Sequence, residues 1–389
     1  MTVMRIRLMR SVDRFLGIPL CWLLSFVMPA YRRTIHDGAS ARPAKILVIK
    51  FFGFGSIVLS TSALSIIKTL YPGSELSFLS FKENKDLLER MQLIDEVITI
   101  RRNSMRAFVR DTLAVVARVI RSRYDIVFDL EFFSKYSTLM SGITNAPIRL
   151  AFALPARWRS RIVNHPVQLK KGTHVIDSFC QLVLAVSHST VPIPTLHGPT
   201  ITDQDHQALL RKIALGSKKV IAVNINAGET FLERRWPPEK FAELVRSLAP
   251  RDESTFCFIG SPQERDYVEK AIRKTECTER CINVAGLLSI PELGALLQRS
   301  EMLISNDSGP LHLASALGIP TIGLFGPESP EFYGTYGSES RTVYKKIACS
   351  PCMNVYSAKD FRCPYNARCM KEISVEEVTD LIRAMNLAA

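Results

Sequence analysis

Residues 45–50, Lys-Ile-Leu-Val-Ile-Lys, form a β-branched apolar run that ends in a glycine-bearing turn through Phe51, Phe54 and Gly55. Behind the turn, Ile57, Leu64, Ile67 and Tyr71 recur at helical spacing until Tyr71-Pro72-Gly73 stops them. Strand, tight loop and helix make the unit from which parallel sheets are assembled. Further apolar runs at 76–79, 97–100 and 126–130, separated by helical patterns, predict a parallel α/β sheet for the first half.

Residues 187–200 carry three prolines and no sustained periodicity, which marks a linker. The strand and helix alternation then restarts. Strands are expected at 220–224, 255–259, 302–305 and 321–325, with helices at 238–248, 291–299 and 312–317. A chain of 389 residues, 47% hydrophobic, is long enough for two such cores. The expected fold is therefore α/β, with two Rossmann-like lobes facing a central cleft. The expected divisions are an amino-terminal segment 1–43, a first lobe 44–190, a second lobe 191–370 with a Cys-rich insert at 349–369, and a carboxyl-terminal helix 371–389.

Charge is distributed unevenly. Residues 1–195 hold 27 Lys/Arg against 13 Asp/Glu, whereas residues 196–389 hold 23 against 24. The formal charge of +13 thus belongs to the first half and calls for an anionic partner there. Arg101–Arg123 and Arg149–Lys171 are its densest stretches, the latter with Trp158 among Arg157, Arg159 and Arg161. They lack the stacking aromatics, helix-turn-helix pattern and His-paired zinc-finger spacing of nucleic-acid modules, so nucleic acid is not the expected partner. Lipid phosphate, a phosphorylated glycan or the membrane itself fits.

At the amino end, Arg5, Arg7, Arg10 and Arg14 precede an apolar stretch from Phe15 to Ala30, and Arg32 and Arg33 follow it. The stretch is shorter than the roughly 20 residues of a spanning helix. It is broken by Pro19 and Pro29 and lacks a small-residue cleavage site. With Trp22 and Phe26 inside it, the expectation is an interfacial or re-entrant anchor on an anionic cytoplasmic leaflet, with a signal peptide or a true span as the alternatives.

Three loops carry chemistry. Ser305-Asn306-Asp307-Ser308-Gly309-Pro310-Leu311-His312 lies between an expected strand and helix, where ligands of open α/β sheets bind. Gly309 permits close backbone approach, Pro310 suits the first helical turn, and the amides of that turn favour a diphosphate. Asp307 is placed to accept from sugar or ribose hydroxyls. Asn226-Ala227-Gly228-Glu229-Thr230 runs on to Arg234-Arg235-Trp236-Pro237, whose paired guanidinium groups suit phosphate oxygens. Gly260-Ser261-Pro262-Gln263-Glu264 follows the next strand, and Glu264 either meets a nucleoside or sits in a first helical turn, where acids are favoured.

Taken in order, the strand-loop-helix start, these three loops, the block Ser305–Pro327 and the late Cys-Ser-Pro-Cys run resemble the heptosyltransferase family of bacterial lipopolysaccharide synthesis, glycosyltransferase family 9, over residues 45–380. The resemblance implies a GT-B fold and an inverting sugar transfer from an ADP-heptose-like donor to a lipopolysaccharide core or related lipid-linked glycan, with no metal needed for transfer. It also implies that the lobe 44–190 is the acceptor side and 191–370 the nucleotide-sugar donor lobe, on a protein lying peripherally on the inner face of a bacterial inner membrane, with Asn226 and Arg234 near phosphates or sugar, Glu264 near the nucleoside and Leu288 against the base. Asp307, Ser308, Gly309 and His312 would surround the diphosphate and sugar.

One position departs from the family. Its members typically carry Gly-Asp in the first loop, with the Asp taken as catalytic base, whereas this chain reads Gly55-Ser56. A serine needs a partner base to deprotonate a hydroxyl at neutral pH. Glu131, or secondarily Asp129, at the end of the strand 126–130 is expected to take that place, with Ser56 beside it. Two other readings stand: a catalytically silent scaffold of this fold that binds nucleotide or lipid, and a nucleotide-sugar epimerase.

Cys349, Cys352, Cys363 and Cys369 place four thiols within 21 residues. The first pair has metal-knuckle spacing, so a structural zinc or iron is expected, against a redox or disulfide pair. Iron held by cysteines near this place in some heptosyltransferase-like proteins adds to the metal reading.

Overall fold

The computed structural model describes residues 17–27, 43–132, 134–153, 159–187, 191–216, 218–228, 231–249, 254–353 and 362–386. The chain divides into two compact units, 1–195 and 196–389. The dividing point falls within the proline-bearing stretch 187–200, whose described residues form neither helix nor strand.

The first unit is built on six parallel strands: β1 (Lys45–Ile49), β2 (Glu75–Phe81), β3 (Glu96–Ile100), β4 (Ile126–Asp129), β5 (Ile148–Phe152) and β6 (His165–Val167). Their order across the sheet is β3-β2-β1-β4-β5-β6. Ile46 to Ile49 of β1 are fully buried on both faces, as expected of a central parallel strand, and they pair in register with Leu76–Leu79 and Ile126–Asp129. The helices Met105–Ser122 and Lys135–Ile143 cover one face, where Val115, Val119 and Met140 pack on Leu47, Ile49, Val127 and Ile98. Ser104 caps the longer helix by accepting from the amide of Ala107 at 3.2 Å.

The second unit repeats the scheme with β7 (Val220–Asn224), β8 (Thr255–Phe258), β9 (Cys281–Asn283), β10 (Ser300–Asn306), β11 (Thr321–Phe325) and β12 (Ser340–Tyr344). The order β12-β11-β10-β7-β8-β9 is the same doubly wound order, read from the other edge. Its core gathers around Trp236, which meets Phe241 edge-on at 4.8 Å. The carboxyl-terminal helix Val375–Asn386 belongs to this unit, since Ile373, Val378 and Ile382 are part of that core.

In each sheet the chain reverses its direction of winding beside the first strand, between β1 and β4 and again between β7 and β10. There the connecting loops run to opposite faces and leave a crevice at the carboxyl ends of the strands. Both candidate sites arise at these reversals.

Within the amino-terminal stretch, Gly17–Val27 forms an 11-residue helix. Pro19 is tolerated because it falls in the first turn, where no intrahelical donor is lost. Cys21 is buried against the helices Lys135–Ile143 and Arg159–Ile162. Among the described residues no helix is long and apolar enough to cross a membrane. The remaining basic residues of 1–43, and Trp158 with Arg157, lie largely outside the described residues.

Candidate active site

Asn224 ends β7 and sends its amide across the reversal, donating to Ser305 Oγ at 3.0 Å and Ser308 Oγ at 2.7 Å. Asn306, at the end of β10, answers in the other direction: its Oδ1 accepts from the backbone of Trp236, and its Nδ2 donates to Ile225 O, both at 2.9 Å. These buried amides pin the loop after β7 to the loop after β10. Because the Ser308 hydroxyl is held by Asn224, the helix Gly309–Ala316 begins without a side-chain cap. Its amino end is thus open to an anion, with Pro310 in the first turn as the sequence predicts.

Over this end Arg234 and Asp307 meet. Arg234 Nη1 donates to Asp307 Oδ2 at 3.0 Å, and Nη2 donates to Ala227 O at 3.0 Å. Arg234 Nε, Arg235 Nε and Asn226 Oδ1 are buried without hydrogen-bond partners among the described residues. Asn226 is otherwise fixed by its Nδ2, which donates to Ile259 O at 2.9 Å. A side chain at Gly260 would press within 2.7 Å of that nitrogen, so the position needs glycine. The structure therefore brings Asn226, Arg234, Asp307, Ser308 and Gly309 around one reversal. His312 is buried in the first turns of the same helix.

Arg235 and Glu264 occupy a neighbouring position. Arg235 Nη2 donates to Glu264 Oε1 at 3.1 Å, with the guanidinium over the Tyr267 ring at 4.7 Å. Glu264 Oε2 accepts from the amide and hydroxyl of Ser261, both at 2.9 Å. Both oxygens are thus engaged in a capping box and an ion pair, and Glu264 sits in the first helical turn. Leu288 is half-buried in the turn between β9 and the helix Ile290–Gln298.

A residue absent from the sequence expectations joins this site. Glu328 lies in the loop after β11, is buried, and has its Oε1 bonded to the amide of Ser329 at 3.1 Å. Burial first, then the neighbouring Asp307, pushes its carboxyl up to about 8, with Arg234 acting in the opposite direction. The loop is brought beside Asp307 by the pairing of β10 with β11, and the Asp307 amide donates to Leu324 O at 3.0 Å. An acid immediately after a strand of the second sheet was the available signal for it.

In the first unit, Glu131 closes the reversal between β1 and β4. Its Oε1 accepts from the amides of Phe51 and Phe52 at 2.7 and 2.8 Å, and from Lys50 Nζ at 3.1 Å. Lys50 and Glu131 form a nearly buried ion pair, their side chains 3% and 8% exposed. Ser56 is half-buried in the first turn of the helix Phe54–Leu59, which leaves the same loop. Gly53, at φ 85°, opens that helix in a conformation that suits glycine.

Asp129 does not share the position of Glu131. It is fully buried, accepts from Ser137 Oγ at 2.9 Å and from the amide of Glu131 at 3.1 Å, and lies 3.8 Å from Arg159. Burial pushes it up to about 7 against the opposing effect of Arg159. Asp129 is thus enclosed by Ser137, the Glu131 amide and Arg159, a setting that suits a structural role better than the expected secondary one as base. Alternation along an extended strand predicts a shared face, but β4 ends at Asp129, and Glu131 turns instead to the first loop.

The thiols of Cys349, Cys352, Cys363 and Cys369 come near one another. Burial, followed by Cys369, Cys363 and Cys349, pushes Cys352 up to about 11. The donor chemistry suits a metal, yet no group of three or more His, Cys, Asp or Glu among the described residues forms a metal-holding set. Residues 354–361, between the two pairs, lie outside those described. What the segment visibly does is clasp the Glu328 loop. The amides of Cys352 and Met353 donate to Pro327 O at 2.9 and 2.8 Å, and Ser350 Oγ donates to Gly326 O at 2.5 Å.

The chain is 24% identical over 317 residues to lipopolysaccharide heptosyltransferase 1 of Pseudomonas aeruginosa, covering 79% of this chain and 86% of that one. It superposes on the structure of E. coli ADP-heptose lps heptosyltransferase II with a TM-score of 0.71 at 19% identity, covering 88% and 99% of the two chains. It is also similar to the iron-containing dodecameric glycosyltransferase TibC of enterotoxigenic E. coli, with a TM-score of 0.56 at 14% identity and coverage of 89% and 77%. The model of glycosyltransferase family 9 (heptosyltransferase) matches residues 113–360, from the helix after β3 through the Arg234–Asp307 crevice to the cysteine segment, and with more than half its length inside that match the chain belongs to this family of glycosyltransferases.

Proposed function

We propose that the second unit binds a nucleotide diphosphate sugar, of the ADP-heptose type, and that the sugar is transferred with inversion to a lipopolysaccharide core or related lipid-linked glycan held by the basic first unit. The observation that carries this reading is the Arg234–Asp307 pair set over an uncapped helix amino end, where guanidinium and backbone amides offer a diphosphate what it needs. Asp307, its carboxylate steadied by Arg234, is suited to accept from a ribose or sugar hydroxyl. The named relatives act on lipopolysaccharide or ADP-heptose, which supports the donor and acceptor classes.

For the acceptor proton, Glu131 is the group we favour. Its Oε1 is anchored by three donors, so Oε2 is the oxygen left to receive a hydroxyl proton as the new glycosidic bond forms and the nucleoside diphosphate leaves. Ser56 then replaces the usual acid with a group that only orients. A calorimetric panel of ADP-, UDP- and GDP-sugars tests the donor. Binding of the ADP-sugar alone is expected, and equal indifference to all three would sink the reading.

The finer reading of the cysteine segment is a structural zinc or iron. It is supported by four thiol donors within 21 residues, by their mutual proximity, and by the iron of TibC. Elemental analysis of the purified protein is expected to give one metal per chain, and a content far below that excludes it. For location, the reading is a cytoplasmic protein held peripherally at a membrane by its amino-terminal segment.

A further inference from the structure

The helix Met105–Ser122 is apolar over a wider arc than its core contacts use. Val115 and Val119 are buried against the sheet with Phe108 and Val116 alongside. Yet Met105, Val109, Leu113 and Ile120 are 48%, 49%, 64% and 54% exposed. Spacings of four, four and seven place these four on one stripe. Arg106, Arg110 and Arg121 are exposed and follow next around the helix, at 100° per residue.

The amino-terminal helix Gly17–Val27 shows the same composition. It buries Cys21 and Ser25 and exposes Leu20, Leu23 and Phe26, the last two at 64% and 70%. Arg161 stands over the Phe26 ring at 5.8 Å. Both helices lie on one side of the first sheet. Val127, on that side, packs with Met105–Ser122, while Asp129, two residues on, lies 3.8 Å from Arg159 of the helix Arg159–Ile162, against which Cys21 packs. The helix Lys135–Ile143 touches both.

We propose that this side of the first unit is a docking face for an anionic lipid bilayer, formed jointly by the two helices. The exposed apolar side chains enter the headgroup and acyl boundary, and the flanking arginines pair with lipid phosphates. A second copy of the chain is the poorer occupant, because a symmetric contact would set one arginine-flanked stripe against another and bring like charges together. The inference deepens the peripheral-membrane reading above by adding a second element remote in sequence, and it does not depend on which sugar is transferred.

Co-sedimentation of the full chain with phosphatidylcholine vesicles, with and without phosphatidylglycerol, tests it. Binding is expected only to the anionic vesicles and is expected to fall with added salt. Val109→Glu with Leu113→Glu should weaken partitioning at least tenfold, and Leu23→Glu with Phe26→Glu likewise. All four residues are exposed, so the melting temperature and transfer to an acyl-free acceptor should stay as in the wild type. Wild-type vesicle binding by the Val109/Leu113 variant overturns the proposal. So does a change of oligomeric state in that variant with vesicle binding intact, which assigns the stripe to a second copy. Loss of transfer to the acyl-free acceptor in the wild type itself would instead count against the transfer reading.

Discussion

Arg234 Nη1 and Asp307 Oδ2 sit 3.0 Å apart across the β7/β10 reversal, joining loops 73 residues apart. The pair is partly buried, its side chains 23% and 6% exposed. Removing the guanidinium leaves Asp307 uncompensated and deletes the donor to a phosphate. Arg234→Ala is expected to raise the dissociation constant of the nucleotide sugar by roughly 30-fold, about 2 kcal/mol, from the strength of hydrogen bonds to charged groups. Arg234→Lys should recover part of this, since it keeps charge but loses the fork that also reaches Ala227. Calorimetry with ADP and the ADP-sugar checks both.

On the proposed reading of the site, Glu328 should make donor binding pH-dependent. Its carboxyl is held up at about 8 by burial and Asp307, so it is neutral at pH 7 and ionises as pH rises further. Ionisation then sets a second negative charge beside the diphosphate. The dissociation constant is expected to rise above pH 8 in the wild type and to stay flat in Glu328→Gln. Stability follows the same sign. The folded state holds this proton more tightly than the unfolded chain, so the contribution is complete below the ordinary carboxylate range and declines as pH rises towards 8. Chemical denaturation across pH 5–9 should show that decline shallower in the variant.

Glu131→Gln keeps the shape that receives the Phe51 and Phe52 amides but removes the proposed proton acceptor. The turnover number should fall by roughly 100- to 10,000-fold, the span expected for a general base, with donor affinity unchanged because the proposed donor site lies in the other unit. Retained turnover would place the base elsewhere. Asp129→Asn, by contrast, should alter thermal stability more than turnover, since Asp129 is closed off from solvent.

Trp236 ties the loop after β7 to the carboxyl-terminal segment. Its backbone donates to Asn306, and its indole Nε1 donates to Ile373 O at 3.1 Å, inside a fully buried contact with Phe241. Trp236→Ala should destabilise the protein by about 3–5 kcal/mol from the cavity alone. Hydrogen exchange of the helix Val375–Asn386 is expected to quicken more than that of β1.

Much of this architecture is local information. The apolar run Lys45–Ile49, the restart at Val220, and the block from Ser305 to His312 each declare strand, turn or helix through spacing and turn chemistry, because periodicity and capping act over a few residues. What the sequence does not contain is adjacency. The sheet order brings Glu131 to Phe51 across 80 residues and Arg235 to Glu264 across 29, and it closes Asp129 behind Ser137 and Arg159. It also sets Glu328 beside Asp307 through the pairing of β10 with β11. Burial and charge environment come from those pairings, so the selection of which acids are structural and which face a site was made by the tertiary structure. The residue types alone left that selection open.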